Sequence, residues 1–572
     1  MLINSTQPKI CLSARSLHKV LNFVGCVLVM ILYFCLLKYS GKPLTLDIII
    51  TIFLAELCRW TNQRRRYRSA SRLKGDVPLD MVEKGENRRP SSGVIAAVVG
   101  YREDPTLFKT ALESYLQTQG CKFLLISIDG DTEEDEEMVD IFRKVCKEES
   151  AVIHLEVPFA EIALGMDRDK EGQLSEVEII TRCCYIAREV LDEKGVKMFG
   201  DGAITRLCVS QRHMHKKGIM FTSFIMSLVL SDILGIEYLW TSDSDSMVFP
   251  DTLTRTMEIF SDANIGGAST ALCIHNRNET IITKLGGGVY LNELYLARSI
   301  TGAVAANDCQ SGPCAAFRIS AVRDELLGWY KQTVLGHWMV TNEDRHLTTR
   351  LLLKGWRVVF ASDVLTATET PTTLRRWLLQ QVRWTRAVHI ESLHRPSVYI
   401  MQSPILFLSS LRRQIAALLV PTTVLLYLLT GTILLQGFVV HDLVRRQGLT
   451  LVYLILRNPY RPAIKTWLWC LPATAFYYIP LPAIEMWSFL TIFHDSWGTT
   501  MRSKKEVARH SRLALRFWEV GFFVLWMGAV GGTIGRYLAS VWMLSSYPMV
   551  ACIFLGAGSA AGLWSIWMVL AE

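Results

Sequence analysis

The sequence predicts an α/β domain with a mostly parallel sheet, inserted between N-terminal and C-terminal transmembrane helices. Half of the 572 residues are apolar and 20% are charged, which is too apolar for an ordinary soluble enzyme and too charged for a protein that lies wholly in a membrane. Apolar runs of membrane length lie towards both ends of the chain. Between them, short apolar strands alternate with helices and end in acidic residues. Ligands bind beyond the carboxyl ends of the strands in such sheets, so a site is expected there.

Residues 1–58 are expected to form a transmembrane hairpin. Residues 20–37 are an uncharged apolar run about 27 Å long as a helix, close to the hydrocarbon thickness of roughly 30 Å. Residues 44–57 are shorter and carry Asp47 and Glu56, but their position favours a return leg over a buried soluble helix. A cleaved signal peptide is the alternative for the first run, although no clear small-residue cleavage site follows it.

Residues 59–92 are expected to form a basic linker beside the membrane. Arginines crowd residues 59–72, and basic residues also precede the first apolar run, which places both flanks in the cytosol. The linker is either simply solvated or in contact with anionic lipid. The net charge is +8, but the sequence lacks the array of basic and aromatic residues that single-strand nucleic-acid binders use. No nucleic-acid partner is therefore expected. Fourteen scattered cysteines without a CxxC pair are expected to be free thiols, and the sequons at Asn4 and Asn278 to stay unmodified in the cytosol.

Residues 93–370 are predicted to form the cytosolic α/β domain. Hydrophobic patterning predicts strands and helices in alternation. The predicted strands are residues 94–100, 123–128 and 236–241, and the predicted helices are residues 106–118, 133–147 and 219–234. Residues 160–215 are polar and poorly periodic, so loops and an excursion from the sheet are expected there.

Residues 371–400 are expected to form an amphipathic helix at the membrane interface, and residues 401–572 the C-terminal transmembrane region. Apolar runs predict four spans there, at residues 416–438, 467–493, 516–534 and 541–570. Prolines inside the second of these predict a kink or a break. Residues 449–456 are too short to span alone and are expected to be re-entrant or interfacial. With the N-terminal hairpin, the expected total is about six spans.

Two carboxylates, Asp243 and Asp245, leave the end of a predicted strand together, because residues i and i+2 of a strand point to the same side. Two such carboxylates repel each other unless a cation lies between them, and a hard divalent ion with oxygen ligands suits them. An ion that also contacts a diphosphate would stabilise a departing nucleotide. The alternative is a solvated turn after the strand.

Two further acidic groups have similar positions. Asp129 follows an apolar strand and can accept hydrogen bonds from a nucleobase or a ribose, although Asp129-Gly130-Asp131 is also typical of a tight turn. Asp344 begins a predicted helix, where acidic residues are favoured by the helix dipole. As a general base aimed at a sugar hydroxyl, Asp344 would contribute about 10² to 10⁴ in rate.

The amphipathic helix contains Gln380-Gln381-Val382-Arg383-Trp384. Its tryptophans are compatible with a simple interfacial apolar face. An indole also packs well on the apolar face of a sugar ring, and arginine is a natural ligand of diphosphate.

Together these boxes resemble the processive, membrane-embedded family 2 glycosyltransferases, which include hyaluronan, chitin and cellulose synthases, and they look most like those of hyaluronan synthases. The resemblance covers roughly residues 95–505 and rests on several boxes in a fixed order. Beyond the boxes described above, these are Gly100-Tyr101-Arg102-Glu103-Asp104-Pro105, His215-Lys216-Lys217, Gln310-Ser311-Gly312-Pro313, Glu343-Asp344-Arg345 and Trp497-Gly498-Thr499-Thr500.

This resemblance implies a GT-A glycosyltransferase domain and a role for each matched residue. Asp344 would be the base of an inverting transfer, and Asp245 would hold Mg²⁺ or Mn²⁺. Gly312, Pro313 and Trp384 would form the acceptor site. The donor and nucleotide contacts would be Tyr101, Glu103, Asp129, Lys216, Asp243, Gln380, Arg383 and Trp497. The partners implied are a UDP-sugar donor, a growing polysaccharide and the lipid bilayer, and the expected location is the plasma membrane.

The resemblance leaves the donor sugar open. Hyaluronan synthases usually have Gly-Asp-Asp-Arg where this chain has Asn342-Glu343-Asp344-Arg345, a variant nearer to the chitin and cellulose synthases. The expected function is polymerisation of sugars from a UDP-GlcNAc or UDP-Glc type of donor into an extracellular or cell-wall polysaccharide. One alternative is a non-processive transferase that makes a glycolipid or a short oligosaccharide. Another is a receptor or transporter, which would place ionisable residues along a path at mid-membrane, with Glu485 and Glu519 as candidates.

Overall fold

A sheet of nine strands, counted over the described part of the chain, forms the centre of the domain in this computed structural model. The structure describes residues 16–74, 93–169, 174–434, 440–494, 513–542 and 547–570. The strands are β1 (Val94–Gly100), β2 (Cys121–Asp129), β3 (Ser150–Leu155), β4 (Arg206–Gln211), β5 (Tyr238–Asp243), β6 (Met247–Val248), β7 (Ile265–Ile274), β8 (Ala315–Arg318) and β11 (Arg357–Thr368). A separate hairpin pairs β9 (Thr333–Val334) with β10 (His337–Trp338).

The sheet order is β3-β4-β2-β1-β5-β8-β7-β11-β6. The first five strands of this order are parallel, as are β7 and β11, whereas β8 runs antiparallel to both of its neighbours and β6 to β11. Residues 94–99 of β1 are all buried because helices cover both faces of the sheet. A continuous apolar run is the pattern that such a position requires. The predicted fold class, a mostly parallel α/β sheet between apolar helices, is confirmed.

The helices of the domain cover the two faces of the sheet and connect its strands. They are α3 (Pro105–Gln117), α4 (Glu133–Val145), α5 (Phe159–Asp169), α6 (Glu176–Glu193), α7 (His215–Leu234), α8 (Thr252–Met257), α9 (Ile281–Val289), α10 (Tyr295–Gly302), α11 (Ile319–Arg323), α12 (Leu326–Tyr330) and α13 (Glu343–Leu353). Short 3-10 turns at Glu258–Ser261 and Gly312–Cys314 and a π-helical turn at Tyr290–Leu294 complete the set.

The N-terminal hairpin consists of α1 (Ser16–Tyr39) and α2 (Pro43–Lys74). The second helix does not stop at the predicted linker but continues through the arginines. It continues because its side chains dock on the sheet domain: Asn62 Nδ2 donates to the Phe360 carbonyl at 2.7 Å, and Arg66 contacts Asp363. The second helix of the hairpin is therefore joined to β11 of the sheet.

The remaining helices follow the sheet domain. They are α14 (Leu374–His394), α15 (Ser397–Gln402), α16 (Pro404–Thr430), α17 (Val440–Arg457), α18 (Ile464–Leu468), α19 (Cys470–Tyr478), α20 (Leu481–Leu490), α21 (Leu513–Val541) and α22 (Tyr547–Leu570). Within the described residues, five helices are long and apolar enough to span a membrane: Leu17–Leu36, His215–Leu234, Pro404–Thr430, Trp518–Val541 and Met549–Val569.

Two sequence-based expectations differ from the structure. Residues 160–215 are not mainly loops, because α5, α6 and β4 lie there and bury apolar residues such as Ile180 and Val209. The expected span over residues 467–493 is divided into α18, α19 and α20, with α20 beginning just after Pro480. Residues 449–456 lie together with their N-terminal neighbours inside α17, an 18-residue helix that packs on α2.

Candidate active site

A cavity of about 1980 Å³ opens at the carboxyl edge of the sheet and continues between the flanking helices. The ends of β1, β2 and β5 line its outer part, and α13 and α14 line its centre. Residues of α2, α16, α17 and α19 line the part that lies among the apolar helices. The cavity thus joins the sheet edge to the helical region in one continuous space.

The outer end of the cavity contains an aromatic and acidic cradle. Asp129 is buried, its Oδ1 accepts a 2.8 Å hydrogen bond from the Met214 amide, and its Oδ2 lies 2.8 Å from His213 Nδ1. The hydrogen bond to Asp129 raises the pKa of His213. The His213 ring lies 4.5 Å from the Tyr101 ring. The two rings, tilted by 31° to each other beside a carboxylate, have the chemistry to hold a nucleobase.

Glu103 lies beside this cradle, on the loop after β1. Its Oε2 accepts a 2.9 Å hydrogen bond from Ser244 Oγ, in the segment that follows β5. Glu103 therefore joins the loops that follow two adjacent strands, and it faces the same cavity as Tyr101.

Lys216 lies between two carboxylates in the first turn of α7. Its Nζ is 2.8 Å from Asp243 Oδ1 and 3.1 Å from Glu343 Oε1. Burial alone would lower the pKa of Lys216, but the charges of Asp243 and Glu343 outweigh burial and raise it. The ammonium group therefore stays charged at neutral pH. Lys216 brings together the end of β5 and the start of α13.

Asp245 lies two residues after the end of β5, close to the negatively charged Asp243. Burial and the charge of Asp243 raise the pKa of Asp245 to about 6, although Ser246 Oγ donates to it at 2.9 Å. A bound cation would remove this penalty, because Asp243 and Asp245 both line the cavity. No cluster of three or more histidine, cysteine or acidic ligands occurs among the described residues. The two carboxylates therefore fit a divalent ion that takes its other oxygens from a ligand, as Mg²⁺ commonly does with phosphates.

Gly312 lies beside Asp243, Lys216 and Asp344. A Cβ atom at this position would lie 2.7 Å from Asp243 Oδ2 and 2.9 Å from Lys216 Nζ, so a residue with a side chain does not fit without displacing them. The carbonyl of Pro313 accepts a 2.9 Å hydrogen bond from Ser242 Oγ, which holds this turn against β5.

Asp344 lies in the first turn of α13, and its Oδ2 accepts a 2.9 Å hydrogen bond from the Gly312 amide. Burial and the neighbouring charge of Glu343 raise the pKa of Asp344 to about 7. The pKa of Glu343 is lowered in turn because Lys216 outweighs the effect of burial. One carboxyl is thus held ionised beside the ammonium group, and the other can take up a proton near neutral pH.

The residues Gln380, Arg383 and Trp384 of α14 line the centre of the cavity. The Trp384 ring meets Tyr290 edge to face, with the ring centroids 6.0 Å apart. Trp377 and Leu378 do not face lipid, as an interfacial apolar face would; they are buried in a cluster with residues of α20 and α21. The helix therefore lies between the sheet domain and the C-terminal helices.

The structure brings twelve of the predicted site residues to this one cavity. They are Tyr101, Glu103, Asp129, Lys216, Asp243, Asp245, Gly312, Pro313, Asp344, Gln380, Arg383 and Trp384. Trp497 lies outside the described residues. Sequence reasoning missed His213, whose only signal in the sequence is the pair of histidines at 213 and 215.

Part of the chain is similar to known glycosyltransferases. Residues 239–481 match the family model described as glycosyl transferase family group 2. Hyaluronan synthase 3 of Xenopus laevis is 29% identical over 316 residues, 54% of this chain and 52% of that protein. Hyaluronan synthase 3 of Homo sapiens is 27% identical over 348 residues, 60% of this chain and 56% of that protein. The chain spans about half the length of the curated relatives it matches.

A solved structure titled "Crystal structure of S. aureus TarS 1-349" aligns with a TM-score of 0.30 at 12% identity, over 69% of this chain and 90% of that chain. A score this low does not establish a common fold. The assignment of a glycosyltransferase domain is based instead on the family match and on the similarity to hyaluronan synthases. The mostly parallel sheet, with acidic residues at its strand ends, has the GT-A type of arrangement that was predicted.

Proposed function

We propose that this protein, whose chain carries a family group 2 glycosyltransferase domain, is a membrane-embedded inverting glycosyltransferase. It joins sugars from a UDP-sugar donor into a polysaccharide and passes the product across the bilayer between its own helices. The catalytic domain faces the cytosol, and the plasma membrane is the site of synthesis.

One observation carries this proposal: the cradle, the carboxylates and the tryptophan of α14 all line one cavity that continues among the apolar helices. A soluble transferase needs only the outer part of this space. The inner part has a use if an elongated product leaves through it. Charged pairs, such as Arg412 with Asp47 at 2.6 Å, line that inner part, which is the environment of a polar passage rather than of a lipid-facing surface.

The donor lies across the sheet edge in this proposal. Tyr101 and His213 face the uracil ring, Asp129 holds the nucleoside end, and Glu103 borders it. Lys216, Gln380 and Arg383 contact the diphosphate, for which lysine and arginine are natural partners. Trp384 and the turn at Gly312 and Pro313 receive the acceptor sugar.

The chemical step is a single displacement at the anomeric carbon. Asp344 accepts the proton of the acceptor hydroxyl while that oxygen attacks the anomeric carbon of the donor sugar. The bond between that carbon and the diphosphate oxygen breaks, and its electron pair leaves with UDP. The raised pKa of Asp344 suits a base that must take up a proton near neutral pH.

Asp243 and Asp245 would hold the divalent ion, Mg²⁺ or Mn²⁺. The ion would supply positive charge for the departing diphosphate. A cation there would also stabilise the ionised form of Asp245, whose pKa is raised by burial and by Asp243.

The donor in this proposal is of the UDP-GlcNAc or UDP-Glc type. Synthesis of hyaluronan would require a second donor, such as UDP-GlcA. The names of the relatives support hyaluronan as one candidate product. The Glu343-Asp344 pair, which differs from the Asp-Asp form usual in hyaluronan synthases, makes a single-donor polymer the second candidate.

The test is release of UDP by the purified full-length protein in lipid nanodiscs with Mg²⁺. UDP-GlcNAc, UDP-Glc and UDP-GlcA are supplied singly and in pairs, and the wild type is compared with Asp344→Asn. Asp201→Asn, at an exposed loop, is the matched control. We expect UDP release from wild type and control and a loss of about 10² to 10⁴ in Asp344→Asn. Equal release by the wild type and Asp344→Asn with every donor overturns the proposal.

The size of the product separates a polymerase from a non-processive transferase. A product that lengthens with time and stays bound to the protein supports polymerisation. A product that stops after one or two sugars supports the transferase that makes a glycolipid or short oligosaccharide.

A further inference from the structure

The turn that leads into α13 has an unusual backbone conformation. Asn342, directly before Glu343 and Asp344, has a φ of +94°, in the left-handed region that residues with a side chain rarely adopt. Asparagine tolerates this region better than most residues, but something must still hold it there. The direction in which Asp344 leaves the helix depends on this turn.

A single buried carboxylate oxygen holds that turn from the neighbouring helix. Glu391 Oε1, on α14, accepts hydrogen bonds from Asn342 Nδ2 at 2.7 Å, from Gln332 Nε2 at 2.7 Å and from His346 Nδ1 at 2.8 Å. Glu391 and His346 are almost fully buried. Three donors on one ionised oxygen form a strong node in a dry environment.

The charge state of this node is consistent with its hydrogen bonds. Burial lowers the pKa of His346, so its ring is neutral at pH 7 and donates from Nδ1. Burial would raise the pKa of Glu391, but the hydrogen bond from His346 and its other donors lower it instead. Glu391 is therefore an anion that all three donors can share.

The other contacts of this segment do not reach the Asn342 side chain. Lys217 Nζ donates to the Met339 carbonyl at 2.8 Å, and Trp329 Nε1 donates to the Glu343 carbonyl at 2.8 Å. Both contacts support the main chain on either side of the turn. The side chain of Asn342 is held from α14, seven residues beyond Trp384 in the same helix.

We propose that Glu391 is a positioning residue: by fixing the left-handed turn at Asn342 it aims Asp344 at the acceptor that Trp384 holds. This inference rests on the proposed role of Asp344 as the base. It makes α14 contribute to both halves of the reaction, with its tryptophan on the acceptor and its glutamate on the turn that carries the base.

The test first removes the Glu391 oxygen that accepts the three hydrogen bonds. It then restores the left-handed turn at residue 342 by a second substitution. Glu391→Met keeps the volume but leaves three donors without an acceptor, whereas Glu391→Gln keeps an oxygen at the same place. We expect Glu391→Met to lower kcat about 10²-fold with little change in the KM for the donor, because a small misplacement of a catalytic group has such an effect. Glu391→Gln should retain most of the activity.

The decisive variant is Asn342→Gly in the Glu391→Met background. Glycine adopts a positive φ without help, so part of the lost kcat should return. The matched control is Glu325→Met, which removes a buried glutamate that binds Arg350 at 2.7 Å and supports the other end of α13. Its kcat should fall much less than that of Glu391→Met.

Hydrogen exchange gives a readout that does not need activity. In Glu391→Met the amide of His346, which donates to the Asn342 carbonyl at 3.0 Å, should exchange faster, whereas in Glu325→Met faster exchange should appear near Arg350. Unchanged kcat in Glu391→Met, or no rescue by Asn342→Gly together with faster exchange throughout the domain, overturns the inference. A wild type that releases no UDP while exchange at His346 still follows Glu391 overturns the proposed function and leaves the turn-holding contact established.

Discussion

The amide of Gly312 donates a 2.9 Å hydrogen bond to Oδ2 of Asp344, so the turn after residue 311 and the proposed base are in direct contact. The same glycine lies too close to Asp243 and Lys216 to carry a side chain. Three chain segments that are far apart in sequence thus meet around one residue without a Cβ atom.

Gly312→Ala should therefore inactivate the enzyme without unfolding it. The added methyl group would lie 2.7 Å from Asp243 Oδ2 and would displace the carboxylate, Lys216 or the turn itself. We expect a loss of about 10²-fold in UDP release, because displaced reacting groups have such an effect. The control is Gly165→Ala in α5, where a Cβ atom meets nothing within 4 Å. A fully active Gly312→Ala would show that the close approach is unimportant for catalysis.

The rate should depend on the protonation of Asp344. Burial and Glu343 raise the pKa of Asp344 to about 7, and a base acts only when it is deprotonated. The kcat/KM for the donor should therefore rise with pH through about 7 and level off above it. Glu343→Gln removes the neighbouring negative charge, so the rising limb should move to lower pH. A limb near the ordinary aspartate pKa in the wild type would contradict this assignment.

Loss of the Lys216 charge should weaken binding of the nucleotide. Lys216→Met leaves Asp243 and Glu343 facing each other without the ammonium group, so two uncompensated carboxylates would repel the diphosphate. We expect UDP binding, measured by calorimetry with Mg²⁺ present, to fall by at least about tenfold. Lys109→Met, at an exposed position on α3, serves as the control. Equal UDP affinity in both variants would remove Lys216 from the donor site.

Removal of the indole of Trp384 should affect the acceptor and not the donor. Trp384→Ala should slow elongation about tenfold, because a stacking contact contributes roughly 0.5–1.5 kcal/mol, whereas Trp384→Phe should retain part of the rate. The affinity for UDP should not change. Trp60→Ala, on the exposed surface of α2, is the control. A parallel loss of UDP affinity in Trp384→Ala would place this residue on the donor instead.

Three strands of the sheet, β1, β2 and β5, could be predicted because they are apolar runs of the kind that is buried on both faces. The expected strand over residues 94–100 coincides with β1, and the expected strands 123–128 and 236–241 each lie within about two residues of β2 and β5. The acidic residues after these strands could be placed on one edge because parallel strands end together. Their meeting with Asp344 could be expected only from the family resemblance.

Other parts of the site depend on contacts between distant segments. The Glu391 node joins residues from the segment 332–346 to α14, and no local pattern marks a glutamate in the last turn of an amphipathic helix as buried. His213 similarly gains its place only when β2 and the start of α7 come together at Asp129. Segment 160–215 looked like loops because its helices are amphipathic and strongly charged on the outside.

The helix α7 has a mean hydropathy of 1.5 over 20 residues, as high as that of Pro404–Thr430, yet 83% of it is buried in the domain. If α7 crossed the membrane, it would place the residues that follow it on the opposite side of the bilayer and so separate Asp243 from Asp129. The strands before and after it, β4 and β5, belong to one sheet, so its two ends share a compartment. In topology mapping, protease sites inserted before and after α7 should therefore be cleaved from the same side of sealed vesicles.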